Sequence, residues 1–218
     1  MNALTLSSLK PNLWLLSPAC QPYTVLNPNA KGADDPRAQS FIHLFQNVLP
    51  ELALLDEHPD RLFIENVAGF EVTSRRSRTN PFSEPFFFLS KSSSTQHLLL
   101  STLRSIGYTT LELLLTPLQF GIPNSRLRYY LLAKKSPLSF PHISEGSSDR
   151  VWRQIPGFNI PLETDEPLTL PIREYLDVGC SDSEHLFVPD RVLEKRGRLF
   201  DIVLPSSKRT CCFTRGML

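Results

Sequence analysis

One thiol in this sequence stands where a catalytic nucleophile belongs. Cys20 lies in the segment Ser-Pro-Ala-Cys-Gln-Pro at residues 17–22, directly after the apolar run 13–16, which predicts a short buried strand. Thiolates are strong nucleophiles near neutral pH. Prolines on both sides of Cys20 restrict the backbone, so the sulfur has few orientations available. The competing interpretation is a structural cysteine on a tight turn, because most cysteines are packing residues.

A carboxylate and two arginines also follow or precede apolar runs. The predicted strand 61–64 ends in Glu65, and the segment 121–128 carries Arg126 and Arg128 just before a third apolar run. Open α/β sheets build their sites at strand ends, so these groups are candidates for the same site as the thiol. Taken alone, they are more typical of a strand-end ion pair and a solvated strand start.

The order of these segments resembles a known family. Pro-Xaa-Cys-Gln at 18–21, Glu-Asn-Val at 65–67 and Arg-Xaa-Arg at 126–128 are similar to the motifs of cytosine-5 methyltransferases. Any one tripeptide is a weak signal, whereas the ordered set is strong. The resemblance covers most of residues 10–75, 95–135 and 185–216.

Three features resemble the branch of that family that methylates tRNA. They are the segment Glu65–Glu71, the segment 121–130 with Asn124 in place of the glutamine usual in DNA-acting members, and Cys212-Phe213-Thr214. The resemblance implies tRNA as the partner, with DNA as the alternative because the catalytic residues are shared.

The resemblance also implies roles for the residues in the motifs. Cys20 would add to carbon 6 of cytosine, which makes carbon 5 electron-rich. Glu65 would hold a proton and hydrogen-bond the ring nitrogen at position 3, a form that burial would favour. Arg126 and Arg128 would grip the base carbonyl and a nearby phosphate with their rigid forks of donors.

Further contacts follow from the same resemblance. The implied substrate-binding residues are Gln21, Asn66, Asn124, Cys212, Phe213 and Thr214. The implied methyl donor is S-adenosylmethionine, for which Ser17 and Pro18 would supply a partial contact.

The cofactor motif of the family is missing from this sequence. The chain has only 9 glycines and no Phe-Xaa-Gly-Xaa-Gly element. We therefore expect an α/β fold that holds a partial Rossmann-like methyltransferase sheet, from the fourth strand onward, plus a small irregular target-recognition region. The chain resembles the middle of an enzyme, truncated at both ends.

Hydrophobic periodicity places the elements that would position these residues. Residues 1–136 are predicted to form the partial catalytic domain and 137–218 the target-recognition region. The predicted strands are 13–16, 61–66, 109–115, 127–133 and 199–204, and the predicted helices are 36–55, 96–106 and 187–198. We expect strands 109–115 and 127–133 to pair antiparallel at the end of the sheet.

Residues 76–94 interrupt the family pattern. The segment has two prolines, a phenylalanine triplet and a serine run, with no clean period. Removing it would join residue 75 almost directly to the helix at 96, so we interpret it as an insertion or a retained intron. A genuine flexible insertion is the alternative, and sequencing of the spliced transcript decides between them.

Composition excludes some classes of protein. The formal net charge of +1 does not indicate strong nucleic-acid binding, and no run of 18 apolar residues predicts a membrane span. Four cysteines without paired spacing favour a reducing compartment, hence the cytoplasm and/or the nucleus. Cys180, His185, Cys211 and Cys212 fit no zinc spacing, so no metal is expected.

Two other functions compete with methyl transfer. The chain could be an inactive fragment that binds RNA or a protein partner, which the missing glycine-rich turn favours. A cysteine hydrolase using Cys20 would need a histidine base, and none of the five histidines has a convincing context.

Overall fold

The apolar runs of the sequence form one mixed sheet. The computed structural model describes residues 3–23, 31–70, 94–143, 150–158, 169–177 and 187–210. The strands are β1 (Leu13–Leu16), β2 (Arg61–Val67), β3 (Tyr108–Leu115), β4 (Arg128–Lys135) and β5 (Val151–Trp152). Their spatial order is β1-β2-β4-β3-β5.

Strand pairing brings two strand ends to one edge. β1 runs parallel to β2, with Leu16 opposite Ile64. β4 runs antiparallel to β2, with Arg128 opposite Val67. The carboxyl ends of β1 and β2 and the first residue of β4 therefore lie at the same edge of the sheet.

Helices form at the predicted ranges 36–55, 96–106 and 187–198, and one further helix, at residues 3–9, was not predicted. They are α1 (Ala3–Leu9), α2 (Gln39–His43), a π-helical turn (Leu44–Val48), α3 (Leu49–Leu54), α4 (Ser94–Ser105) and α5 (Asp190–Arg196). The π-helical turn precedes Pro50, whose ring disfavours the regular spacing of helical carbonyls. Short 3₁₀ helices span Gly32–Asp34, Pro36–Ala38, Pro117–Phe120, Ile172–Tyr175 and Gly197–Leu199.

The core of the first unit is formed by β2, β4 and the helices α2, α3 and α4. Side chains alternate along β2, so that Leu62 and Ile64 face inward. Ile64 and its cross-strand partner Leu131 are both fully buried. Burying each such side chain stabilises the fold by about 1.5–3 kcal/mol.

The chain divides into two compact units. The first contains residues 1–114 and 128–159, and the second contains 115–127 and 160–218. These limits are not those of the predicted boundary after residue 136, which stays a prediction. In the second unit, the Thr210 amide donates to the Pro123 carbonyl at 2.9 Å, and the Ser125 amide donates to the Thr210 carbonyl at 2.7 Å.

Two expectations about the elements need correction. The strand predicted at 199–204 is wrong: residue 199 ends a 3₁₀ helix and no strand follows it. Ile202 is 82% exposed, so these apolar residues do not face a neighbouring strand. β3 and β4 are neighbours as predicted, but β5 lies beyond β3 at the edge of the sheet.

Three further expectations concern the segment 76–94, the last predicted helix and membrane spans. The segment 76–93 is among the residues that the structure does not describe, so its interpretation as an insertion or intron stays a prediction. Helix α5 is shorter than the predicted 187–198, beginning after Pro189. No helix within the described ranges is long and apolar enough to cross a membrane.

Burial of one histidine makes the stability of this fold depend on pH. His58 is 9% exposed, and its ring stands edge-on to Tyr108 with 5.5 Å between the ring centres. Burial lowers the pKa of His58, nearby Lys135 lowers it further, and Asp56 and Asp60 oppose the shift. Protonation therefore costs more in the folded chain than in the unfolded chain.

We expect the free energy of unfolding to fall as pH drops from about 7.5 to 5. The unfolded chain binds the proton at the ordinary pKa of about 6.5, whereas folded His58 binds it only at lower pH, so acid favours unfolding in this window. Urea unfolding across this range should show a smaller pH slope for His58→Phe than for the wild type. The exposed His43→Gln variant is the control, and equal slopes for His58→Phe and wild type would contradict the assignment.

Candidate active site

The turn that carries Cys20 is tied to the end of β2. The Ser17 hydroxyl donates to Glu65 Oε2 at 2.7 Å, and Asn66 Nδ2 donates to the Pro18 carbonyl at 3.4 Å. Parallel pairing of β1 and β2 makes both contacts possible, because it brings the residues after each strand to the same edge. The thiol is thus held two residues beyond an anchored backbone.

Glu65 is held from two sides. Its Oε1 atom lies 3.3 Å from Arg128 Nε, while its other oxygen accepts from Ser17. The Glu65 side chain is 29% exposed and that of Arg128 is 20% exposed. Glu65 is therefore held by an arginine and a hydroxyl at a partly exposed position, and its role as a proton-bearing carboxyl stays a prediction.

Asn66 has a structural task that the sequence did not predict. It is 1% exposed, and its Oδ1 accepts from the Val67 amide at 2.8 Å while its Nδ2 holds Pro18. The period-2 burial along β2 was the signal that residue 66 faces inward with Leu62 and Ile64. Direct contact of Asn66 with substrate stays a prediction.

The turn itself is compact around Cys20. The Tyr23 amide donates to the Cys20 carbonyl at 2.9 Å, and the buried Tyr23 ring packs edge-on against Phe70, with ring centres 4.8 Å apart. Cys20 is half-buried with a free thiol, and Gln21 is exposed. The thiol is therefore both positioned and accessible, as a nucleophile requires.

An ion pair near this turn was missed by the sequence reasoning. Arg37 binds the buried Asp35 through Nε at 2.9 Å and Nη2 at 2.7 Å. These hydrogen bonds lower the pKa of Asp35 to about 2. The Arg37 amide also donates to Asp35 Oδ1, and this Asp-Pro-Arg helix-start pattern was the available signal.

Other predicted site residues belong to the second unit. The Arg126 amide donates to the Asn124 carbonyl at 3.1 Å, and Asn124 forms a bridge with Thr210. Asn124 Oδ1 is buried, with no hydrogen-bond partner among the described residues. Cys212, Phe213 and Thr214 lie outside the described residues, so their substrate contacts stay predictions.

The predicted cofactor contacts are already engaged. Ser17 donates to Glu65, and the Pro18 carbonyl accepts from Asn66. Neither residue adds a charged or ribose-binding group, and the sequence has no glycine-rich phosphate-type turn. Contacts of Ser17 and Pro18 with S-adenosylmethionine stay predictions.

Metal ligation has no support in the described part of the chain. No group of three or more His, Cys, Asp or Glu side chains there could hold an ion. Cys180, His185, Cys211 and Cys212 lie outside it.

Comparison with known proteins decides the family. A tRNA (cytosine(38)-C(5))-methyltransferase of Schizosaccharomyces pombe is 38% identical over 204 residues, covering 94% of this chain and 51% of that protein. The chain belongs to the cytosine-5 methyltransferase family. A DNA (cytosine-5)-methyltransferase of Dictyostelium discoideum is 31% identical over 238 residues, covering 97% of this chain and 56% of that protein. A scan against protein-family models found no match.

Solved structures of the cytosine-5 methyltransferase family share the fold. The Dnmt2 methyltransferase of S. pombe has a TM-score of 0.64 and 31% identity, covering 99% of this chain and 54% of that chain. A methyltransferase of Entamoeba histolytica has a TM-score of 0.65 and 29% identity, with 98% and 53% covered. The predicted α/β class with a Rossmann-like methyltransferase sheet is confirmed, and the chain spans about half the length of the relatives it matches.

The two hydrogen bonds of Asn66 predict that its replacement lowers the stability of the fold. Asn66→Ala should lower the free energy of unfolding by about 1–3 kcal/mol, because it leaves the Pro18 carbonyl and the Val67 amide without their partner. Urea denaturation measures this loss. The exposed Asn47→Ala variant is the control, and equal losses in the two variants would contradict the role assigned to Asn66.

Proposed function

We propose that this chain carries the base-attacking part of a methyltransferase that modifies carbon 5 of cytosine in tRNA. One observation carries the proposal: the turn of Cys20 and the Ser17–Glu65–Arg128 contacts lie together at one edge of the sheet. The family membership and the names of the relatives support this reaction.

Cys20 is the nucleophile in this proposal. Its thiolate adds to carbon 6 of the cytosine, forming a carbon–sulfur bond, and the electron pair of the 5,6 double bond moves to carbon 5. Carbon 5 then accepts an electrophile and loses its own proton. Elimination restores the double bond and expels the thiolate, so the enzyme is regenerated.

Glu65 and Arg128 stabilise the attacked base. Addition at carbon 6 pushes negative charge towards the ring nitrogen at position 3, where a Glu65 carboxyl that carries a proton donates a hydrogen bond. Arg128 Nε lies 3.3 Å from Glu65 Oε1, so a bound base would share this carboxyl group with the guanidinium. Ser17 holds the second oxygen and fixes the carboxyl plane. Arg126, in the second unit, is proposed to bind the base carbonyl or a phosphate.

The proposed methyl donor is S-adenosylmethionine, which supplies the electrophilic methyl group to carbon 5. The chain's own residues bring the cytosine and its activated carbon 5 to that donor, with Ser17 and Pro18 as its proposed partial contacts. Calorimetric titration of the 218-residue chain with the donor measures what this chain alone contributes.

The proposed substrate is a tRNA, with cytosine 38 as the first position to test. S. pombe and Bos taurus relatives are named for that nucleotide, and the Dictyostelium relative is named for DNA. A loop of RNA already presents unstacked bases, which lowers the cost of bringing cytosine to the thiol. We place the protein in the cytoplasm and/or the nucleus, where tRNA is found.

An alternative function is binding without turnover. A chain that covers 51% of its S. pombe relative, and whose residues 17 and 18 are engaged in holding a turn, would be an RNA- or protein-binding fragment if the thiol does no chemistry. An experiment that detects the addition of Cys20 to cytosine, without any methyl donor, distinguishes methyl transfer from binding without turnover.

We expect the chain to release tritium from tRNA that carries tritium at carbon 5 of cytosine, without any methyl donor. Addition of Cys20 makes carbon 5 basic, so that it exchanges its hydrogen with water before the thiolate leaves. Cys20→Ala should abolish release, and Cys180→Ala is the matched control. Undiminished release from Cys20→Ala would remove Cys20 as the nucleophile. RNA binding without release by the wild type would favour the alternative.

Glu65→Gln should slow the same exchange by at least about tenfold and change RNA binding little. The hydrogen bond from Glu65 strengthens only as charge develops on the base, so its loss acts on the rate. Exchange rates at saturating tRNA, compared with dissociation constants from filter binding, separate the two effects. An equal loss in both would indicate a structural role for Glu65.

A further inference from the structure

Three aromatic rings in the core of the first unit contact one another in a row. The Tyr23 ring meets Phe70 edge-on with 4.8 Å between ring centres, and Phe70 meets Tyr129 with 5.1 Å between ring centres. Phe70 and Tyr129 are fully buried, and Tyr23 is almost so. Aromatic pairs at such separations prefer a few defined geometries, so each ring of this aromatic row restricts the position of the next.

Two rings of the aromatic row belong to the turns that follow β1 and β2. The Tyr23 amide donates to the Cys20 carbonyl at 2.9 Å, so Tyr23 and the thiol are parts of one turn. Phe70 lies in the turn after β2, the strand that contains Glu65, and its amide donates to the Val67 carbonyl at 3.2 Å. Contact between the two rings therefore ties the turn of the proposed nucleophile to the strand of the proposed acid.

The third ring belongs to the strand of Arg128. Tyr129 follows Arg128 in β4 and stands opposite Asn66 in the antiparallel register with β2. The aromatic row thus takes one ring from each of the three segments that carry the proposed catalytic groups, which are Cys20, Glu65 and Arg128. A shift of one ring changes the spacing between these segments.

A buried carboxyl group holds the Tyr129 end of the row. The Tyr129 hydroxyl donates to Glu112 Oε2 at 2.6 Å, and Gln96 Nε2 donates to the same oxygen. Glu112 is 3% exposed and lies in β3 between two buried leucines, Leu111 and Leu113. Burial of a carboxyl group costs free energy that an apolar side chain at this position would not. What the carboxyl group adds is a directional bond that fixes the tyrosine ring.

We propose that Glu112 and Tyr129 are positioning residues for the proposed reaction. Their hydrogen bond fixes the aromatic row, and the row sets the spacing of the three catalytic groups. Neither residue contacts the base. Without the bond, the ring of residue 129 keeps its apolar burial but gains freedom to slide, and the row passes this freedom to the turn of Cys20. A misplacement on the order of 1 Å slows a reaction by about a hundredfold.

The first measurement is the reactivity of Cys20 in the 218-residue chain, without RNA or a methyl donor. Tyr129→Phe deletes one oxygen atom and keeps the ring. Iodoacetamide alkylation is followed at constant pH by mass spectrometry of the Cys20 peptide. The rate should rise by about threefold, because the half-buried thiol opens to solvent more often when its turn is less firmly held.

Tyr108→Phe is the matched control. Tyr108 is also buried, and its hydroxyl donates to the Pro59 carbonyl just before β2, at the strand end opposite to Glu65. Each variant loses one buried hydroxyl hydrogen bond, so a general loss of stability would affect Cys20 equally in the two. We expect Tyr108→Phe to leave the alkylation rate unchanged.

Two substitutions of Glu112 separate the hydrogen bond from the charge, and they carry the test if Tyr129→Phe does not fold. Glu112→Gln keeps an oxygen that accepts from the Tyr129 hydroxyl, so its rate should stay near that of the wild type. Glu112→Leu fills the same space without an acceptor, so it should match Tyr129→Phe. Circular dichroism verifies the fold of each variant.

Tritium release from tRNA then tests the catalytic meaning, which rests on the proposed function. At saturating tRNA, Tyr129→Phe should release tritium at least about tenfold more slowly, with a dissociation constant for tRNA within about twofold of the wild type. If the wild type releases no tritium, the proposed function fails. The alkylation rates still decide whether Glu112 and Tyr129 position Cys20.

An unchanged alkylation rate in Tyr129→Phe would overturn the proposal, as would an equal change in Tyr108→Phe. A tRNA dissociation constant that rises as much as the release rate falls would show a role in binding instead, and would overturn it too.

Discussion

The parallel pairing of Leu16 with Ile64 determines where the first unit can hold catalytic groups. It places the residues after β1 beside the residues after β2, so that Ser17 reaches Glu65 and Asn66 reaches Pro18. A shift of one residue in this register would turn Leu62 and Ile64 out of the core. The same burial that stabilises the sheet therefore keeps the site in alignment.

Two carboxylate–arginine pairs differ in how firmly they are fixed, because their burial differs. Asp35 is almost fully buried and bound through both oxygens, so its pair with Arg37 is a fixed structural charge. Glu65 keeps 29% of its side chain exposed and meets Arg128 at 3.3 Å, so that pair can still exchange partners with a ligand.

The sequence predicted the parts of the fold that depend on local pattern. β1, β2 and α4 follow from apolar runs and from the stop at Gly107, and the motifs pointed to Cys20, Glu65 and Arg128. The pattern failed at residues 199–204, an apolar run interrupted by Asp201 that forms no strand. The Asp35–Arg37 pair was missed although the local Asp-Pro-Arg pattern indicated it, and the contact from Asn66 to Pro18 was missed because it depends on tertiary packing.

The contact between Ser17 and Glu65 joins residues that are 48 positions apart in the chain. Closing so long a loop costs entropy before any contact compensates, and parallel strands need the intervening segment to cross over first. The turn that carries Cys20 therefore takes its final position only once β1 and β2 have paired. In a newly made chain that has not yet paired these strands, Cys20 lacks this setting, so the chemistry proposed for its thiol depends on completion of the sheet.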